Sequence, residues 1–140
     1  MSSSTRRYFD SVPPEIEEKL RKMCLALPET YEQRAWAGVR WMVRKKTFAH
    51  VLSIDRSADG DPESGDDGSV VTLAFRSSGE ELEMLRHAGH PFFVLGWGRN
   101  AMGLVLDDAT DWDEARELVT ESYCVMAPKK LSARIIDASN

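Results

Sequence analysis

Along this chain the apolar residues change period from helical to alternating and back, twice over, and few architectures accommodate that. Ile16, Leu20, Met23 and Leu27 recur at spacings of four, three and four, which places them on one face of a helix. Ser11, Pro13 and Pro14 open the run, with proline tolerated in a first turn. Leu27-Pro28 ends it, because a residue before proline is pushed out of the α region. Glu15–Lys19, Glu17–Arg21 and Glu18–Lys22 are oriented i,i+4 pairs on the polar side.

The period then becomes two. Val39, Trp41 and Val43 alternate with Arg40, Met42 and Arg44; Phe48, His50, Leu52 and Ile54 alternate with Thr47, Ala49, Val51 and Ser53. Ala37-Gly38 and Lys45-Lys46 read as turns, and residues 69–75, SVVTLAF, as a third strand. Ser78 with Glu81 spells a capping box ahead of Leu82, Leu85 and Ala88, and Gly89 stops that helix. PFFVLGW (91–97) and MGLVL (102–106) form a hairpin across Gly98-Arg99-Asn100. Asp111 with Glu114 caps a last helix through Trp112, Ala115, Leu118, Val119 and Ser122 to near Pro128, with a basic tail of Lys129, Lys130 and Arg134. The expected fold class is α+β: a two-layer α-β(3)-α-β(2)-α domain, mainly antiparallel, with the helices packed on one face of the sheet.

At 140 residues the chain is one domain's worth. The expected organisation is a disordered N-terminal segment at 1–10, a single domain at 11–136 and a tail at 137–140. The net charge of −5 is local. Residues 55–68, DRSADGDPESGDDG, hold six acids and one base, so the rest of the chain balances. That segment lacks the apolar content for a core and reads as a mobile, acidic insertion between strands. An acidic total therefore argues little against an anionic partner.

Several chemistries find weak support. Cys24 and Cys124 lie 100 residues apart with no CxxC spacing, and the N-terminus, MSSSTRRYFD, has no secretory apolar region, so two reduced thiols in a cytoplasmic protein are expected. No apolar run is long enough to span a bilayer. His87 and His90 are two ligands without a third, so no metal is expected. GWGRNAMG (96–103) lacks GxGxxG spacing and joins two strands, so it is no phosphate cradle. His50 has no nucleophile in a local motif. Asp55, Ser57, Asp59, Gly60 and Asp66 imitate a calcium loop, but Pro62 and the strand-like flanks argue against one. No cofactor and no catalytic residue is assigned.

Three stretches carry a resemblance: ALPETYEQRAWAGVRWMVRKKTFAHV (26–51), HPFFVLGWGRNAMGLVLDD (90–108) and DWDEARELVTESYCVMAPKKL (111–131), the last with its Ser-Tyr pair. In order and spacing they resemble the MmcQ/YjbR-like family over about residues 14–131. The resemblance implies the same α-β(3)-α-β(2)-α domain, described as CyaY-like or double-wing, no established enzymatic activity, and a DNA-binding role suggested from fold. Frataxin-like iron binding is not carried over, because acids on the first helix alternate with Lys and Arg.

The residues that fit such a role form a basic stripe. Arg40 and Arg44 share a strand parity, Lys45 and Lys46 follow at the turn, and the tryptophans expected beside them are Trp36, Trp41 and Trp97. Cations on phosphates beside an aromatic ring on a base is the chemistry of nucleic-acid contact. Trp41 shares the core parity of Val39 and Val43 and is expected to pack inside. The candidate nucleic-acid residues are Arg40, Arg44, Lys45, Lys46, Trp97, Arg99, Lys129 and Lys130. The alternatives are a protein-interaction module, similar to secretion-chaperone-like domains, using a sheet edge or the Trp97 hairpin, and a structural domain with no catalytic activity whose stripe is a solvated outer sheet face. An enzyme ranks third. The oligomeric state stays open, with a monomer favoured.

Overall fold

The computed structural model describes residues 6–56 and 69–139. Its elements run β1 (Arg7–Phe9), α1 (Pro14–Leu25), β2 (Thr30–Arg34), β3 (Val39–Val43), β4 (Lys46–Asp55), β5 (Ser69–Arg76), α2 (Gly79–Arg86), β6 (Phe92–Val94), β7 (Ala101–Val105), α3 (Trp112–Met126) and α4 (Lys129–Ser139). All seven strands join one antiparallel sheet, in the order β2-β3-β4-β5-β7-β6, with β1 added to β4. The α+β class and the antiparallel sheet agree with the sequence reading.

β4 is the axis of the sheet. Its ten residues outrun the five of β3, which pairs only as far as Val51. β1 takes up the edge beyond, with Arg7 opposite Asp55 and Phe9 opposite Ser53. Residues 7–9, expected in a disordered segment, are therefore strand: backbone groups left unpaired at the end of β4 beyond Val51 are satisfied there. β2, TYEQR, was not expected either. It lies at an outer edge, so almost nothing on it is buried and no alternation marks it. The tail after Pro128 is instead the helix α4, which sets Leu131 in the core.

Helices α1 and α3 cover one face, where Leu20, Trp41, Val51, Leu73, Val119 and Tyr123 are packed. The opposite face carries a smaller cluster of Leu52, Ile54, Ala74, Phe93 and Leu95, covered by Tyr8 and by the loop joining β6 to β7. Alternation fails at one residue. Met42 pairs with Thr47 but Trp41 with Ala49, so Phe48 is the extra residue of a β-bulge. Phe48 leaves the face of His50, Leu52 and Ile54 and meets Tyr123 edge-on, centroids 5.5 Å apart.

Of the two expected capping boxes, one forms its N-cap half. Asp111 accepts from the N–H groups of Asp113 and Glu114 at 3.0 and 3.1 Å. Ser78 makes no such bond, and the Glu81 carboxyl pairs instead with Glu121 across to α3. The acidic insertion and its calcium-like spacing fall on 57–68, outside the described residues. No described helix is long and apolar enough to cross a membrane.

Candidate functional site

The turn between β2 and β3 builds the site. Gly38 has φ +74°, and a Cβ there would sit 1.9 Å from the Val51 carbonyl oxygen, so only glycine lets this turn lie against β4. Its N–H donates to Asp10 Oδ1 at 2.7 Å, tying the turn to the segment after β1. The turn sets the Ala37 carbonyl 2.6 Å from His50 Nε2 and the Trp36 ring edge-on to His50 at 5.5 Å. A carbonyl only accepts, so Nε2 carries the proton and Nδ1 is an acceptor.

Burial, and to a lesser degree the Arg40 cation, pushes the His50 pKa down, against the opposing pull of the Ala37 carbonyl. The imidazole is therefore neutral at neutral pH. Trp97 meets His50 at 5.6 Å and Trp36 at 5.7 Å, and Tyr8 meets both tryptophans. Trp36, at the outside of this cluster, is 64% exposed.

Beside the cluster a cavity of about 310 Å³ opens, lined among others by Trp36, Arg40, His50, Ala74, Arg76 and Trp97. It forms where β4 and β5 part. Ala49 pairs with Phe75, so Phe48 and Arg76 come next in register. Between them stands the buried hydroxyl of Ser122, accepting from Arg76 N–H at 2.8 Å and donating to Phe48 O at 2.6 Å. The following residue, Tyr123, donates to the Pro28 carbonyl at 2.8 Å. Ser122 thus holds the two strands apart from the helix side, and Tyr123 ties α3 to the segment between α1 and β2.

Two guanidinium groups line this cavity. Arg40 donates through Nε and Nη2 to Gln33 Oε1, on the neighbouring strand. Arg76 Nη1 donates to the Trp97 carbonyl at 3.1 Å and to Asn100 Oδ1 at 2.9 Å. Neither is paired with a carboxylate among the described residues, whose ion pairs include those of Arg21 with Glu17, Glu18 and Glu32, and of Arg44 with Glu29. Burial pushes the Arg76 pKa down.

Of the sequence candidates, Arg40 and Trp97 come together at this cavity. Arg44 does not continue the stripe: it adopts φ +48° in the hairpin turn and reaches Glu29 at 3.0 Å, while Met42 between the two arginines is buried. Lys45 and Lys46 are exposed at the end of the same hairpin. Arg99 is exposed on the β6–β7 loop, its carbonyl accepting from Arg86. Lys129 and Lys130 begin α4, in the helical layer. Trp41 is fully buried, as expected, with its Nε1–H on Glu32. Arg76 was not singled out in the sequence. A single arginine ending a strand gives no pattern, and its meaning comes from Asn100 and Ser122, far away in the chain.

A family model described as YjbR matches residues 25–125. The crystal structure of a Deinococcus radiodurans protein with a DUF419 domain is similar in fold, with a TM-score of 0.53 at 22% identity, covering 77% of this chain and 75% of that one. Among curated proteins, none matches the chain.

Proposed function

The chain belongs to the YjbR family, and we propose that in this member the open face of the sheet binds single-stranded nucleic acid. The observation that carries the reading is the pairing of an aromatic and a cation. Trp36 is 64% exposed and stands beside Arg40, whose charge no described carboxylate neutralises. A base stacks on the outer side of Trp36. Phosphates follow Arg40 and, at the tip of the hairpin beyond it, the exposed Lys45 and Lys46. Arg44, held by Glu29, adds little, and Lys129 and Lys130 on α4 are outside this surface.

Fluorescence anisotropy with a labelled single strand, titrated in salt, tests the reading. Three phosphate contacts give a log–log salt slope near −2, or a loss of roughly 15- to 20-fold between about 50 and 200 mM. Substituting Arg40, Lys45 and Lys46 together by Gln should flatten that slope. Binding that ignores both salt and the substitutions would reject the surface. A second reading, a protein partner that adds a strand, rests on the outer edge of β2, which no described strand pairs. A complex that survives high salt and is lost when Glu32 is replaced by Pro would favour it.

A further inference from the structure

We infer that the cavity between β4 and β5 receives a terminal phosphate monoester, either the end of a strand or a free nucleoside monophosphate, with Arg76 as the anion anchor and Arg40 at its side. The inference deepens the nucleic-acid reading by naming which part of the ligand enters.

The floor of the cavity is closed. Phe48 and Phe75, 1% and 2% exposed, belong to its lining and to the core behind it, and Ser122 fills the gap between the strands. An internal phosphodiester enters with a nucleotide on each side and needs two exits, whereas a terminal phosphate needs one. A volume of about 310 Å³ takes a phosphate with its sugar and not a run of nucleotides.

The charge also fits. Nη2 and Nε of Arg76 have no acceptor among the described residues, and Nη1 bonds only to neutral oxygens. A half-buried cation without a counter-charge carries an uncompensated loss of hydration, and an oxyanion in the cavity would offset it. A monoester carries about −1.5 to −2 charges near neutral pH, against −1 for a diester, so two guanidinium groups discriminate in its favour.

The aromatic rings then set the orientation. Trp36 and Trp97 have centroids 5.7 Å apart, less than the two stacking separations, about 7 Å together, that a sandwiched base requires. The base stays outside, on Trp36, and the phosphate goes in.

The test compares single strands that differ only in a phosphate or hydroxyl at the 5′ or 3′ end, with AMP, adenosine and inorganic phosphate as competitors. One phosphorylated end should bind at least tenfold more tightly than its hydroxyl counterpart, and AMP should compete where adenosine does not. Arg76→Gln should abolish that preference while leaving the hydroxyl strand within about twofold. Arg40→Gln, which removes a guanidinium bonded within the protein only to Gln33, should weaken both kinds of strand, reduce the preference about threefold and cover the case in which Arg76→Gln fails to fold. Equal affinity for both kinds of end, or a preference intact in both variants, would overturn the inference. Strands bound without regard to their ends would leave the open-face reading standing alone. AMP bound without any strand would do the reverse.

Discussion

Phe48 and Arg76 stand opposite each other in the β4–β5 register, yet their backbone groups meet through the Ser122 hydroxyl and not directly. A serine on a helix thereby decides where two central strands stop pairing. The bulge at Phe48 serves the same end, since it turns that ring toward Tyr123 and away from the open face. The cavity follows from both.

Replacing Ser122 by Ala leaves the Arg76 N–H and the Phe48 carbonyl without their buried partner. Leaving such groups unsatisfied costs about 1–3 kcal/mol each, so a loss of about 2 kcal/mol or more is expected in urea unfolding. An unchanged midpoint would mean that the strands close directly on each other once the hydroxyl is gone.

Gly38→Ala meets two obstacles together. The backbone is at φ +74°, and the new Cβ would fall 1.9 Å from the Val51 carbonyl oxygen, which belongs to a central strand that cannot yield. A loss of about 3 kcal/mol or more is expected, with a changed tryptophan emission as Trp36 loses its seat. Gly89→Ala, also at positive φ but with open space around it, is the control and should cost about 1 kcal/mol.

The fold was legible where burial is periodic. The helices of Leu20 and Leu118 and the strands of Val39, Leu52 and Leu73 announce themselves because one face of each meets the core. β1 and β2 did not, since one is three residues long and the other is polar at the sheet's rim. The candidate site was half legible. Arg40 and Trp97 stood out by type, but the stripe to Arg44 assumed a strand where the chain already turns at positive φ. Arg76 and Ser122 acquire meaning from register alone, which local sequence does not encode.

His50 makes the site sensitive to acid. Its pKa is lowered on folding, chiefly by burial, so below the unfolded value of about 6.5 the unfolded chain takes up the proton first. The contribution of His50 to stability is complete above that pH and is lost as pH falls toward the folded value. His50→Gln still donates to the Ala37 carbonyl and does not titrate. It should remove that part of the slope in melts recorded from pH 7.5 to 5, and an identical slope in the variant would assign the effect elsewhere.

The Glu81–Glu121 contact acts with the opposite sign. A hydrogen bond from Glu81, followed by burial and by the negative charges of Glu81 and Glu117, raises the Glu121 pKa to about 7. The folded chain therefore holds a proton that the unfolded chain has released. This link between α2 and α3 is intact below about pH 4.5 and is lost as pH rises through about 7. Both carboxylates are near solvent, so the effect is modest, below about 1 kcal/mol. Glu121→Gln should keep the contact, raise the melting temperature at pH 8 and leave it unchanged at pH 5. A variant less stable than the parent at pH 8 would show that the ionised glutamate has a partner worth more than the shared proton.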